Sequence, residues 1–290
     1  MSSLVEPYIC HLDSDQRLSG THSQFAYKIT LPNRNYDRVA VLSASVPKSF
    51  YLVSESKSRP NKKIFILNEG LSSVNIELED GNYSIRSLSI HLQAKLNIHS
   101  PGGFTYTVSY PGADDIQTGK LTFSVSGNVG LQPSIEFPED SSMYKIMGFN
   151  QNSVNTFSDD VLYCNNVVVL SINEIFIKTN LVQAETNSVS DDIIASLNVI
   201  NSPDYSAIAY MPNNIVFSSK PLSKGFSHTY NFIITDNDDQ LLDLNGVSCN
   251  IDLVFFKWND VPAMNKKNMM MSWYKDIATS ALDDTPSISS

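Results

Sequence analysis

The chain has 290 residues and a formal net charge of −10 at pH 7, from 30 acidic and 20 basic residues. A chain of this length can bury a sizeable core, but its charge has the wrong sign for wrapping a phosphate backbone, so we expect no nucleic-acid partner. Charged residues make up only 17% of the sequence. This fraction is below the usual value of about a quarter and favours a β-rich protein that hides surface in contacts with other subunits.

The cysteines and the apolar runs exclude further classes. Cys10, Cys164 and Cys249 are far apart and outside any CxxC spacing, so a disulfide framework or a zinc knuckle is not expected and a reducing compartment fits best. The first residues lack a basic start followed by an apolar run, and no stretch approaches about 18 consecutive apolar residues. We therefore predict neither a signal peptide nor a membrane span, and a protein that is not secreted.

The N-terminal part of the chain is predicted to form an arm followed by a strand. Residues 1–20 show no sustained apolar periodicity. Beyond them, four apolar residues alternate with smaller or polar ones: Phe25, Tyr27, Ile29 and Leu31. This alternation is typical of a half-buried strand, and the proline that follows ends it.

The next strand changes its apolar phase partway along. Val39 and Val41 occupy one face of the strand. The apolar residues that follow are in the opposite phase: Leu42, Ala44 and Val46. A phase change inside such a run predicts a β-bulge or a bend.

Residues 70–160 are predicted to form a separate small α+β unit, because helical spacing appears between short strands. Four apolar residues recur at three- and four-residue intervals: Ile85, Leu88, Leu92 and Leu96. Either Asn82 or Ser84 can cap the first turn of this helix.

The remainder of that unit is predicted to contain a hairpin and two shorter elements. Alternating apolar residues in 104–109 and in 121–126 indicate two antiparallel strands. The segment SIEFP at 134–138 is predicted to form an edge strand, and SSMYKIMGF at 141–149 a helical turn that Gly148 stops.

Strands are predicted again after residue 160. Strand structure is predicted within VVVLSINEIFIKTNL at 167–181, where the nearly continuous apolar run from Val167 to Leu170 indicates a strand covered on both faces. NIVFSS at 214–219 indicates another strand, and the segments 226–235 and 249–258 alternate almost without error.

Together these elements predict an all-β sandwich that carries an inserted α+β unit. The predicted divisions are an N-terminal arm at 1–20, a sandwich at 21–69 and 161–258, the inserted unit at 70–160 and a C-terminal tail at 259–290. An insertion of this size is too long for an ordinary connection between strands.

The sequence contains no signature of a common catalytic or cofactor site. There is no Walker loop, no GxGxxG after a strand, no GxSxG and no HExxH, and the five histidines form no close pair at ligand spacing. We therefore predict a protein that is not an enzyme and that binds no cofactor.

One acidic cluster is the only candidate metal site in the sequence. Its members are Asp236, Asp238, Asp239 and Asp243. Carboxylates at alternate positions of a loop suit a hard cation such as calcium, but the spacing does not match an EF-hand. Aspartates in turns also accept backbone hydrogen bonds, which is the alternative interpretation.

Four aromatic residues beside polar breaks are candidates for subunit contacts. Phe50 and Tyr51 follow Pro47, and Trp273 and Tyr274 lie in the Met-rich tail. Aromatic side chains often anchor interfaces. The alternative is that each of them packs within its own chain.

Three stretches carry a resemblance to a known family. They are FAYKITLPNRNYDRVAVLSASVPKSFYLV, then GNYSIRSLSIHLQAKLN with the following TGKLTFSVS, and FIITDNDDQLLDLNG. In this order, over roughly residues 23–256, the chain resembles the penton, or minor capsid, proteins of polinton-like viruses and virophages.

The resemblance implies a single jelly roll of eight antiparallel strands. It further implies homopentamers at the fivefold vertices of an icosahedral double-stranded DNA virus shell, with the major capsid protein as neighbour. The protein would be made inside the host cell and located in the virion. The insertion would contact a spike or a host surface, and the arm and the tail would fasten the ring to neighbouring capsomers.

A binding module is the main alternative to this reading. A virion fibre head or a carbohydrate-binding β-sandwich would also be acidic, poor in cysteine and free of catalytic motifs. Its ligand surface would need exposed aromatic residues, and the tyrosines of the insertion, Tyr106 and Tyr110, are the candidates.

Overall fold

A computed structural model describes residues 6–32, 35–55, 61–111, 116–182, 192–200, 202–223 and 228–258. These residues form 17 β-strands, two α-helices and one 3-10 helix. In chain order the elements are β1 (Tyr8–Asp13), the 3-10 helix (Ser14–Gln16), β2 (Ser19–Gly20), β3 (Gln24–Lys28), β4 (Arg38–Pro47), β5 (Ile64–Glu69), β6 (Ser72–Glu77), α1 (Ile85–His99), β7 (Thr105–Ser109), β8 (Thr122–Ser126), β9 (Ser134–Glu136), α2 (Met143–Met147), β10 (Asn155–Thr156), β11 (Val161–Tyr163), β12 (Glu174–Thr179), β13 (Ile193–Asn198), β14 (Ala207–Tyr210), β15 (Lys220–Pro221), β16 (Thr229–Asp236) and β17 (Asn250–Phe256).

The chain divides into two compact units. The sandwich unit comprises residues 1–50 and 173–290, and the inserted unit comprises residues 51–172. These boundaries differ from the predicted insertion at 70–160. The reason is strand pairing that the sequence does not reveal, since β5 pairs with β6 and β9, and β11 pairs with β8, all within the inserted unit.

The sandwich unit contains two antiparallel sheets in the strand order of a jelly roll. One sheet runs β1-β17-β4-β14, with β15 also on β4, and the other runs β13-β12-β16-β3-β2. Without the two-residue strands β2 and β15, eight strands remain. Counted in chain order, the two sheets read 1-8-3-6 and 5-4-7-2, which is the arrangement of two Greek keys in a jelly roll. The prediction of an all-β jelly roll is confirmed.

Alternate residues of these strands fill the space between the two sheets. In β16, Tyr230, Phe232 and Ile234 are buried, whereas Asn231 between them is exposed. The ring of Phe232 stacks on Phe25 of β3 with 5.5 Å between ring centroids. Burial in β16 thus alternates with a period of two residues, which is why the apolar alternation in its sequence correctly predicts a strand.

The change of apolar phase in β4 corresponds to a bulge. Ser43 pairs with Asp252 and Val41 pairs with Leu253 across β17, so the register skips Leu42. One extra residue in β4 shifts its alternation by one position. The predicted bulge is therefore confirmed, and it keeps the buried residues on both sides of it in the same core.

The inserted unit is a small α+β structure with its own core. Its sheets run β10-β9-β5-β6 and β11-β8-β7. Their buried side chains form one apolar cluster with those of α1 and α2. The predicted α+β character of this region agrees with the observed elements.

Helix α1 begins where the sequence predicts. Ser84 caps it, because its side chain accepts a hydrogen bond from the N–H of Ser87, whose own hydroxyl accepts from the N–H of Ser84. This reciprocal arrangement is a capping box with serine at both positions. Leu88, Leu92 and Leu96 are fully buried, as their spacing predicts.

The predicted hairpin and helical turn of the inserted unit are also confirmed. Strands β7 and β8 pair antiparallel, with Tyr106 opposite Val125. Helix α2 ends at Gly148, where φ is +78°. A Cβ at this position would lie 2.5 Å from the backbone oxygen of Asn166, so the turn requires glycine.

Three predicted elements are wrong. SIEFP forms β9, which lies between β5 and β10 and is not an edge strand. The run from Val167 to Leu170 is not a strand, since Val167 and Val169 are 55% and 46% exposed while the residues that alternate with them pack on the core of the inserted unit. Residues 214–219 form turns, and Ile215 and Val216 cover the outer face of the sheet that contains β4 and β17.

The predicted N-terminal arm at 1–20 is wrong for the residues that the structure describes. Tyr8–Asp13 forms β1, which pairs along its whole length with β17. Its signal in the sequence is the short alternation of Tyr8, Cys10 and Leu12. The predicted tail at 259–290 lies outside the described residues.

Candidate functional site

The acidic loop after β16 uses its carboxylates for local structure. Asp236 Oδ1 accepts hydrogen bonds from the N–H groups of Asp238, at 2.9 Å, and Gln240, at 2.8 Å. Asp239 Oδ1 lies 2.7 Å from Lys178 Nζ. Within the described residues, no three His, Cys, Asp or Glu side chains are grouped so that they could hold a metal ion. The geometry favours the turn interpretation of Asp236, Asp238 and Asp239 over the metal interpretation.

Lys178 is the buried partner of this loop. Burial of its ammonium group opposes the charged form, but the hydrogen bond to Asp239 and the negative charge of Asp192 outweigh this effect and raise the pKa of Lys178. The lysine therefore stays charged and holds the loop against β12.

The two aromatic residues predicted for subunit contacts in the first half of the chain differ in their exposure to solvent. Phe50 is 4% exposed, so its ring packs within its own chain and has almost no surface for a partner. Tyr51 is half-buried. Trp273 and Tyr274 lie outside the described residues.

One serine, one histidine and one aspartate come together near β1 without the geometry of a catalytic triad. Ser14 Oγ lies 3.1 Å from His22 Nδ1, and Asp15 Oδ1 lies 3.7 Å from the same nitrogen. A triad needs the serine and the acid on opposite ring nitrogens. Ser14 is also fully buried, and its Oγ accepts a hydrogen bond from the N–H of Cys249. These contacts therefore tie the connection after β1 to the start of β17.

Tyr106 does not belong to an exposed ligand surface. It is 1% exposed, and its hydroxyl donates a hydrogen bond to Glu69 Oε1 at 2.7 Å. Desolvation of the phenol, followed by its contact with the carboxylate, raises the pKa of Tyr106 strongly. Tyr110 is half-buried. Of the two tyrosines predicted to line a ligand surface, Tyr106 therefore has almost no surface for a ligand, and only Tyr110 is partly accessible.

The sheet β1-β17-β4-β14 has two edges that carry candidate subunit contacts. In the part of the chain that the structure describes, β1 (YICHLD) pairs only with β17, and β14 (AIAY) pairs only with β4. Neither strand contains lysine or proline, with which proteins commonly protect an edge strand from pairing with another chain. Both edges follow from the order of the strands in the sheet, which no local sequence pattern reveals.

The backbone of β1 presents hydrogen-bonding groups along its free edge. The N–H of Ser14 donates to the carbonyl of Cys249 at 3.0 Å, immediately after the last pair of the ladder. Hydrogen-bonded and non-hydrogen-bonded pairs alternate in an antiparallel ladder. It follows that Ile9 and His11 direct their N–H and C=O groups away from β17.

The backbone of β14 has the same pattern. The N–H of Lys48 donates to the carbonyl of Ser206 at 2.8 Å, one position before the strand begins. By the same alternation, Ala207 and Ala209 direct their N–H and C=O groups away from β4. Both alanine side chains are exposed.

Several solved structures are similar to this chain. A crystal structure of the selenomethionine-labelled mavirus penton protein is similar to this chain, with 11% sequence identity and a TM-score of 0.45 over 86% of this chain and 99% of that chain. No protein-family model matches the sequence, and no curated protein matches it. No helix in the described part of the chain is both long enough and apolar enough to cross a membrane.

Proposed function

We propose that this chain is a structural capsid protein, a penton that forms homopentamers at the fivefold vertices of an icosahedral double-stranded DNA virus shell. The observation that carries the proposal is the jelly-roll order of the sandwich unit, with two sheets of four main strands each. Copies of such a sandwich close into a ring when they repeat one heterologous contact whose rotation closes.

Two further observations support a role in assembly. Within the described residues, the sheet of β1, β17, β4 and β14 has two edges without a pairing strand, and these edges can serve as such contacts. The acidic loop and the Ser14–His22 pair, which could have suggested chemistry, are occupied by structural hydrogen bonds. On this proposal the protein carries out no turnover and needs no cofactor.

The same proposal also assigns functions to the inserted unit and the C-terminal tail, and it names the neighbour of the ring. The major capsid protein of the same virus is the neighbour of the ring in the virion, and the protein is made in the host cell. The inserted unit, residues 51–172, contacts a spike or a host surface. The tail from residue 259, with Trp273 and Tyr274, fastens the ring to adjacent capsomers, and Tyr51 remains a candidate contact.

The mass of the purified full chain tests this proposal. Size-exclusion chromatography with light scattering should give a mass of about 161 kDa, which is five times the 32.2 kDa of one chain. A trimer would contradict the penton proposal and favour a fibre head. A mass of one chain at every concentration would contradict self-assembly of the protein into rings.

A further inference from the structure

We propose that β1 of one copy pairs with β14 of the next copy, so that the sheet β1-β17-β4-β14 continues from subunit to subunit around the ring. This inference rests on the proposed function, because it names the contact through which the ring closes. Three independent features of the sandwich unit carry it: strand direction, the orientation of free backbone groups, and side-chain size.

Strand direction favours the pairing. Each of the three strand pairs in this sheet is antiparallel, so the two outer strands, β1 and β14, run in opposite directions. A rotation about a ring axis places the β1 edge of one copy beside the β14 edge of the next. The two strands then meet antiparallel, which is the more stable pairing per residue.

The free backbone groups match in spacing. Ile9 and His11 on β1, and Ala207 and Ala209 on β14, direct their N–H and C=O groups outward, and in each strand the two residues are two positions apart. Pairing Ile9 with Ala209 and His11 with Ala207 therefore forms two hydrogen-bonded pairs. Each such pair exchanges two backbone hydrogen bonds, so the contact gains about four.

The side chains of the same residues are complementary in size. Leu12 of β1 and Ile208 of β14 point into the sandwich and are fully buried. The side chains of Ile9 and His11, and of both alanines, accordingly lie on the outer face of the sheet. Ile9 is 46% exposed. In the proposed register each larger side chain of β1 lies opposite an alanine, so the two strands approach without a clash.

A disulfide between the two edges tests the register in the full chain. In a Cys10→Ser background, which removes the neighbouring thiol, Ile9→Cys is combined with Ala209→Cys. The Cα atoms of a hydrogen-bonded antiparallel pair are about 5.5 Å apart, which suits a disulfide. Within one copy β17 and β4 lie between the two positions, which places them at least about 14 Å apart. Any disulfide between them therefore joins two copies.

The expected result is a ladder of covalent oligomers that ends at five chains on non-reducing electrophoresis after mild oxidation. Each single-cysteine variant should give dimers at most. A control pair shifted by two residues, Ile9→Cys with Ala207→Cys, should cross-link at least tenfold more slowly, because diagonal neighbours are about 7–8 Å apart.

A second variant keeps the test decisive if the cysteine variants fold poorly. Ile9→Lys places a charge on the β1 edge and should weaken the ring at least tenfold in its dissociation constant. Ile90→Lys, at an exposed position of α1, is the matched control and should leave the ring unchanged. Circular dichroism and melting temperature establish that each variant is folded.

The outcomes separate this inference from the proposed function. If the wild-type chain forms pentamers but the double variant gives no more cross-linking than the shifted control, edge pairing is overturned and the penton proposal stands. If a ladder forms but ends at another number of chains, edge pairing stands and the pentamer is overturned. If the wild type is monomeric and no ladder forms, both are overturned.

Discussion

At the scale of single residues, the inserted unit depends on one buried carboxylate. Glu69, at the end of β5, accepts hydrogen bonds from the hydroxyls of Tyr106 and Ser100, at 2.7 Å each, and from the N–H of Gly102. A Cβ at Gly102 would lie 2.8 Å from Glu69 Oε2 and 2.8 Å from the ring of Phe104. The absence of a side chain there is what allows the backbone to reach the carboxylate.

We expect Tyr106→Phe to destabilise the protein by about 1–3 kcal/mol, because a buried acceptor loses one of its donors. Urea unfolding followed by far-UV circular dichroism measures the change. Tyr163→Phe, at an exposed position of β11, is the control and should have no measurable effect. Equal stabilities of the two variants would show that the hydroxyl of Tyr106 does not support the fold.

A second carboxylate, on the outer face of the sandwich unit, links stability to pH. Burial acts to raise the pKa of Asp252, but the hydrogen bonds from Ser43 and His11 outweigh it, so the pKa lies below its ordinary value. A carboxyl group with a depressed pKa stabilises the folded state above its unfolded pKa of about 3.9. This contribution is lost as the pH falls through the folded pKa.

We therefore expect Ser43→Ala to lower the free energy of unfolding more at pH 6 than at pH 2.5. Chemical unfolding at a series of pH values measures the difference from the wild type. In an Asp252→Asn background the effect of Ser43→Ala should not depend on pH. A pH-dependent effect in that background would assign the stabilisation to another group.

At the scale of elements, α1 illustrates what local sequence can predict. Its leucines recur at helical spacing and its cap lies in the first turn, so both signals fall within 15 residues. The same holds for β16, whose alternation is uninterrupted through Ile234. The elements predicted correctly are those whose buried face repeats with a clear period.

The elements predicted wrongly depend on partners that are distant in the sequence. Val167 and Val169 have high strand propensity but find no strand to pair with, so the run forms an extended connection. SIEFP becomes an interior strand because β10, which begins 19 residues after β9 ends, pairs on its other side. No local pattern contains this information.

We expect Leu92→Ala in α1 to destabilise the protein by about 2–5 kcal/mol, since the leucine is fully buried against the core of the inserted unit. Ile90→Ala, on the exposed face of the same helix, is the matched control and should change stability by no more than about 0.5 kcal/mol. Thermal unfolding of both variants measures the contrast. A loss of equal size in both would contradict the assigned faces of α1.

At the scale of the whole molecule, fold class and candidate site were predictable to different degrees. Alternation along the strands predicts an all-β fold, and resemblance adds the jelly roll. The sequence does not reveal the edges at β1 and β14, because an edge is a property of strand order and the outward-facing residues of β14, Ala207 and Ala209, are small. Aromatic side chains do not mark a surface at Phe50 or Tyr106, because both are buried in the chain.

The proposed closure of the jelly roll into a ring of five copies can be observed by imaging. Negative-stain imaging of the purified full chain tests it most directly, because class averages count the subunits of each particle. We expect closed rings with fivefold symmetry. Particles with threefold symmetry, or closed rings with any number of subunits other than five, would contradict it.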